Sequence, residues 1–158
     1  MPKWISAEPP SLKIKPPFIF LISFVVGLLI HFFLFPWPII EDSLVTTGIG
    51  IVLLVAGFSF VLWAFRTFDA HEVSRKFQPV KTLVKTGPFA RTRNPMYVSL
   101  ITIYLGISII FNTLIPIILL PFTIIFLKKY VIMKEEAYLE KLFGKEYTDY
   151  KARVRRWV

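Results

Sequence analysis

Two charged segments hold the residue types from which a site could be built. The first, Thr82 to Tyr97, reads TLVKTGPFARTRNPMY. Gly87-Pro88 is a turn signal, and Asn94-Pro95 puts a good N-cap beside proline at the first helical position, so a helix is predicted to open there. Its unpaired N–H groups and positive dipole end, beside Arg91 and Arg93, would suit a carboxylate or a phosphate; taken alone, the same residues also make a plain loop and a helix cap. The second segment, Lys128 to Val158, begins KKYVIMKEEAYLEKLFG. Helical periodicity sets Val131, Tyr138, Leu139, Leu142 and Phe143 on an apolar face, and Gly144 is expected to end or kink the helix. Glu135 and Glu136 then form either a solvated face balanced by Lys128, Lys129 and Lys134, or a carboxylate pair of which one points inward to a ligand's hydroxyl, amino group or positive charge. His71 and Glu72 are too few for a metal or acid–base centre, and His31 reads as an interfacial residue. The chain has no cysteine, which excludes disulfides, thiolate catalysis and zinc–thiolate sites, and no metal is expected.

The elements that must position these segments are membrane spans. The chain has 158 residues, 55% of them hydrophobic, and a mean hydropathy of +0.63, too apolar for an ordinary soluble domain. Pro16 to Pro36, Ser43 to Phe65 and Asn94 to Leu127 carry no Lys, Arg, Asp or Glu. A helix needs roughly 20 apolar residues to cross the hydrocarbon. The third stretch would run about 50 Å as one helix, so it is predicted to fold back at Asn112-Thr113. The reading is a single all-α membrane domain, 1–158, with four transmembrane helices at about 17–35, 44–65, 95–111 and 114–133. The last two form a hairpin, followed by cytoplasmic C-terminal helices over 134–158. In span two, Gly48, Gly50, Ala56 and Gly57 sit where helices can approach closely. The N-terminal prolines and Trp4 read as an irregular lead-in at the interface, and 66–80 as a partly helical connection. The first apolar run is too long for a signal-peptide core and is expected to remain as a span.

Charge placement agrees with four spans. Residues 1–16 hold three basic residues, 66–93 hold seven and 128–158 hold nine, which together are all 19, while Glu41 and Asp42 stand alone in the first outer loop. With four spans every Lys and Arg falls on one side, as the positive-inside rule requires when both termini are cytoplasmic. The net charge of +9 is thereby explained by topology and anionic lipid, and nucleic acid is not expected as a partner.

Together the two segments resemble a known superfamily. Gly-Pro-aromatic, then Arg-x-Pro-x-Tyr opening a helical hairpin, then Glu-Glu, then Phe-Gly-x-Glu-Tyr-x-x-Tyr with a basic tail is similar to the isoprenylcysteine carboxyl methyltransferases and phospholipid methyltransferases, over about residues 80 to 158. The resemblance implies S-adenosyl-L-methionine as cofactor, held at the cytoplasmic interface between the hairpin and the C-terminal helices. By position it implies cofactor contacts for Gly87, Pro88, Phe89, Arg93, Asn94, Pro95, Tyr97, Glu135 and Glu136, with Glu136 foremost; it assigns no catalytic residue. Asn94 stands where the family has histidine, so proton transfer at that position is unavailable. The arginine that isoprenylcysteine methyltransferases carry just before the acidic run is absent here, where Lys128 and Lys129 stand.

The expected activity is therefore S-adenosylmethionine-dependent methyl transfer of the isoprenylcysteine carboxyl O-methyltransferase kind, onto a lipid-borne or small hydrophobic acceptor. Phospholipid N-methylation is the alternative, and a non-catalytic scaffold or lipid-binding role is the reading from another class. Methyl transfer from a sulfonium is a direct displacement, so alignment and exclusion of water would supply most of the acceleration. A carboxylate acceptor needs no base; an amine must lose a proton, and the glutamates, Tyr97 and His71 are the only groups at hand. A transporter is disfavoured because no span carries a charge.

Overall fold

The computed structural model describes residues 14–40, 43–71 and 82–158, and all regular structure among them is helical. Glu41, Asp42, Glu72 and the N-terminal lead-in with Trp4 lie outside the described residues. Helix α1 is Pro16–Phe33, α2 Ser43–Ala70, α3 Pro95–Ile110 and α4 Leu114–Leu127. A π turn, Lys128–Ile132, carries α4 without a break into α5, Met133–Phe143, and α6 is Lys145–Arg153. A short 3₁₀ turn, Gly87–Ala90, precedes α3.

Three of these rods are long and apolar enough to cross a bilayer: α1, α2, and the continuous 30-residue run Leu114–Phe143. Helix α3, at 16 residues, is shorter but equally apolar. The uninterrupted apolar part of the last rod ends at Leu127; charge enters at Lys128, and α5, with Lys134, Glu135 and Glu136 in its first turn, stands beyond it. Helix α2 continues past Phe65 to Ala70, because nothing in Arg66–Ala70 breaks a helix and the Thr67 hydroxyl donates back to the Trp63 carbonyl at 2.9 Å.

The fold back at Asn112 is as the sequence implies. Asn112 sits at φ 47°, a left-handed conformation that asparagine tolerates. Its Oδ1 accepts from the Ile39 and Ile40 N–H groups at 3.0 and 3.3 Å, and its Nδ2 donates to the Ile40 carbonyl at 2.8 Å. One side chain thus ties the α1–α2 connection to the α3–α4 turn.

Small residues set the helix spacing. Helix α2 packs on α3 along its length, and α1 packs on α4. A Cβ on Gly50 would lie 2.5 Å from Ile110 Cγ1 and 2.7 Å from the Gly106 carbonyl oxygen; one on Gly57 would lie 2.6 Å from Ile103 Cγ1. Gly48 has open space around it and Ala56 is exposed, so only two of the four small residues named in span two serve this contact. In the other pair Gly27 abuts Pro116, and Ser23 Oγ meets Thr123 Oγ1 at 2.6 Å and the Tyr104 hydroxyl at 3.3 Å. The two pairs meet chiefly through α3, most of whose aliphatic residues are half-buried. The outward faces of α1, α2 and α4 are lined with exposed large apolar side chains such as Phe18, Val52 and Phe122, as lipid-facing surfaces are.

Candidate functional site

The charged ends of α3, α4 and the segments that follow converge on one polar cluster under the helical bundle. Pro95 opens α3 at its first position, as expected, with its missing N–H costing nothing there. Asn94 occupies the cap position, but its side chain does not cap the helix. Its Nδ2 donates instead to the Arg156 carbonyl at 3.0 Å, and Thr92 Oγ1 donates to the same oxygen at 3.0 Å. The Arg93 N–H donates to the Arg155 carbonyl at 3.0 Å. Three successive residues before α3 therefore hold the C-terminal tail, whose polar backbone competes successfully for the asparagine amide. Trp157 then packs against the core formed by Phe20, Tyr97, Tyr104, Leu127, Val131 and Ile132.

This arrangement delivers Arg156 to Glu136. The guanidinium grips the carboxylate with two bonds, Nε to Oε1 at 2.8 Å and Nη2 to Oε2 at 2.7 Å, in the fork geometry that makes such pairs strong. Arg93 Nη1 lies 3.1 Å from Oε1 on the other side, at ion-pair distance but without hydrogen-bond alignment. The Arg93 side chain is only 9% exposed; its buried Nε and Nη1 make no aligned hydrogen bond among the described residues, although the Glu136 carboxylate and the Tyr147 hydroxyl lie beside the guanidinium. Two arginines around one glutamate leave the cluster with one net positive charge and unsatisfied donors, the surroundings an anionic ligand group would complete. Burial pushes the Glu136 carboxyl up, but the Arg156 hydrogen bonds and the charges of Arg93 and Arg156 outweigh it and hold the group below the ordinary carboxylate range. Tyr147 is buried beside it, its hydroxyl pushed up by burial and by the Glu136 charge.

Glu135 has a different partner. Its Oε2 accepts a hydrogen bond from the Tyr97 hydroxyl at 2.8 Å. Burial pushes its carboxyl up, the Tyr97 bond draws it partly back, and the Glu136 charge adds to the rise, so that it stands at about 7. Both glutamates face protein because of the π turn. A π turn holds one residue more than an α turn, so Val131 and Ile132 are both buried, at 2% and 0% exposure, and the residues four positions on are Glu135 and Glu136.

Gly87, Pro88 and Phe89 form a 3₁₀ turn packed between α2 and α6. Gly87 has φ 59°, and a Cβ there would meet Thr67 Oγ1 at 2.6 Å. The Phe89 ring lies on Phe68 with centroids 4.8 Å apart, and its carbonyl accepts the Tyr150 hydroxyl at 2.7 Å. The turn thereby links α2 to α6. Gly144, at φ 53°, separates α5 from α6 as expected, and Leu139 and Phe143 pack with Leu83, Tyr147 and Tyr150. His71 holds the end of α2, its Nδ1 on the Thr67 carbonyl at 2.8 Å and its Nε2 3.3 Å from the Thr86 hydroxyl. Among the described residues no three His, Cys, Asp or Glu side chains gather as a metal site.

The structure therefore brings Arg93, Asn94 and Glu136 together, and Tyr97 with Glu135. It adds Thr92 and Arg156, and it gives Tyr147, so far only a tyrosine of the Phe-Gly-x-Glu-Tyr-x-x-Tyr motif, a place beside Glu136. The basic tail was visible as composition, but which of Arg153, Arg155 and Arg156 turns inward depends on the backbone pairing with Thr92 to Asn94.

A family model described as phospholipid methyltransferase matches residues 45–146, from α2 into the first turn of α6. No curated protein and no solved structure matches.

Proposed function

Because the chain belongs to the phospholipid methyltransferase family, whose membership implies methyl transfer within a membrane, we propose that it methylates the headgroup nitrogen of a phospholipid, using S-adenosyl-L-methionine. The observation that carries this reading is the buried Arg93–Glu136–Arg156 cluster with its unsatisfied arginine donors, seated where the bundle's charged ends meet.

The residues present fit the cofactor. Its amino-acid end carries a carboxylate and an ammonium, and Arg93 offers buried N–H donors to the first while Glu136 offers charge to the second. Asn94, Pro95 and Tyr97 frame this region, and Gly87, Pro88 and Phe89 hold it against α2. When bound, S-adenosylmethionine supplies a methyl group on a positively charged sulfur. The chain's own part is to hold the two reactants in line and keep water out, which can account for a large share of the acceleration. An amine acceptor is preferred to a carboxylate because Glu135, with the Tyr97 hydroxyl as its hydrogen-bond donor and no cation partner among the described residues, offers an amine an acceptor and in its ionised form would repel an anion.

The membrane arrangement in this proposal is a single domain of four spans with both termini cytoplasmic. Support comes from the sequence, in which every Lys and Arg falls in the segments 1–16, 66–93 and 128–158, and from Asn112 joining the two connections at Ile39–Ile40 and the α3–α4 turn. The division into α1–α4 and α2–α3 pairs, meeting through an α3 whose aliphatic residues are only partly buried, supports entry of a lipid from the side.

Calorimetry with S-adenosylmethionine on the detergent-solubilised protein tests the cofactor site. Binding in the micromolar range, weakened at least about tenfold by Arg93→Ala, is expected. No binding in several detergents would favour the scaffold reading instead.

A further inference from the structure

Adjacent glutamates on α5 stand in opposite surroundings. Glu136 is held by two arginines. Glu135 has a single donor, the Tyr97 hydroxyl on Oε2, no ion pair with a Lys or Arg, and no hydrogen bond to Oε1 among the described residues. The Tyr97 ring that approaches it belongs to the apolar cluster of Phe20, Leu127, Val131 and Ile132, against which Trp157 packs. The groups facing Glu135 are Tyr97 from α3 and Glu136 on its own helix, while Arg93 and Arg156 reach it only through Glu136. A carboxylate in such a place is costly as a lone anion and is relieved by a proton or by a cation. That its carboxyl stands near neutrality while its neighbour's is held low is how environment divides two carboxylates between different tasks.

We infer that Glu135 binds the ammonium of the lipid acceptor and accepts its proton, with Tyr97 as the positioning residue that orients the carboxylate. The inference rests on the reading above of a lipid amine as acceptor. An ammonium nitrogen has no lone pair and cannot be alkylated. In the step assigned to Glu135, one N–H bond of the headgroup ammonium breaks, its electron pair stays on nitrogen, and the proton passes to Oε1. The positive charge of the ammonium and the negative charge of the carboxylate vanish together, which a poorly solvated site favours. The free amine is then the nucleophile toward a methyl sulfonium, and the neutral carboxyl keeps its bond to Tyr97.

The test uses the protein without cofactor in detergent, with short-chain phosphatidylethanolamine and its N-acetylated form as probes, from about pH 6 to about pH 8.5. The two probes share chains and phosphate and differ in the amine. The amine lipid should bind at least about tenfold more tightly above the Glu135 titration, with the preference fading as the pH falls through it. Glu135→Gln should abolish the preference while keeping affinity for the N-acetylated lipid within about twofold of wild type. Tyr97→Phe removes the bond that draws the Glu135 carboxyl down, so the midpoint of the preference should move to higher pH; a merely structural tyrosine would leave it in place. No preference in wild type, or a preference that survives Glu135→Gln, overturns the inference. So does undiminished methyl transfer to phosphatidylethanolamine by Glu135→Gln. Absence of methyl transfer by wild type, with the Glu135-dependent preference intact, would remove the acceptor reading and leave the amine site standing.

Discussion

Arg156→Ala should be among the most damaging single changes outside the spans, and its size follows from the contacts it removes. The substitution deletes hydrogen bonds of 2.8 and 2.7 Å to one carboxylate. Glu136 is left facing Arg93 alone, at 3.1 Å and poorly aligned. Hydrogen bonds to charged groups are worth about 1.5–3 kcal/mol each, and removing one partner of a buried pair costs about 3–5 kcal/mol. Arg156 keeps 26% of its side chain exposed, so part of its charge remains hydrated in the folded state. The low end applies, about 3 kcal/mol. The tail's backbone bonds from Thr92 and Asn94 survive, so the loss should come from the carboxylate alone. In a Glu136→Gln background the guanidinium has only a neutral acceptor, and the same substitution should cost about 1 kcal/mol. Reversible denaturant unfolding in mixed micelles of the wild type, both single variants and the double variant measures the coupling, expected to be about 2 kcal/mol. Equal losses in the two backgrounds would refute the reasoning, since Arg156 would then act through something other than Glu136.

Three further outcomes follow from the packing and the charge pairs. Gly50→Ala should destabilise the protein by about 1–3 kcal/mol, because the new methyl meets Ile110 and the Gly106 carbonyl at 2.5 and 2.7 Å, while Gly48→Ala, with nothing within 4 Å, should leave unfolding nearly unchanged. Asn112→Ala should cost about 1 kcal/mol more than Asn112→Gly in the same unfolding assay, because both lose the bonds to Ile39 and Ile40 but only alanine is strained at φ 47°. Glu136 titrates lower folded than unfolded, so its contribution is complete above its ordinary value of 4.5 and is lost as the pH falls through the folded value; acid should therefore destabilise wild type more steeply than Glu136→Gln, read as unfolding midpoints between about pH 5 and about pH 3.

Much of this architecture was legible because its signals are local. Pro95 can only begin a helix, Asn112 tolerates the left-handed turn, Gly144 ends α5, and the length of the third apolar run forces a hairpin. The acidic pair was legible as a pair, but not the different partners that its two members find. An α-helical extrapolation from Leu127 through Val131 points to Glu135 and leaves Glu136 at the edge. The π turn makes Ile132 inward as well and so brings Glu136 into the protein. Such a turn has no simple residue pattern. Arg156 was illegible for another reason: its partners Asn94 and Glu136 lie 62 and 20 residues away, and the pairing depends on tail backbone meeting the turn before α3. Asn94 looked like a cap because local chemistry favours one, yet tertiary pairing claimed its amide.

The most direct measurement is methyl transfer itself. Purified protein in nanodiscs containing phosphatidylethanolamine, given S-adenosylmethionine labelled in its methyl group, should place label in the lipid fraction on the headgroup nitrogen. Arg93→Ala should reduce that incorporation at least about tenfold at subsaturating cofactor. Wild-type protein that binds the cofactor yet leaves every lipid in the nanodisc unlabelled would contradict the account.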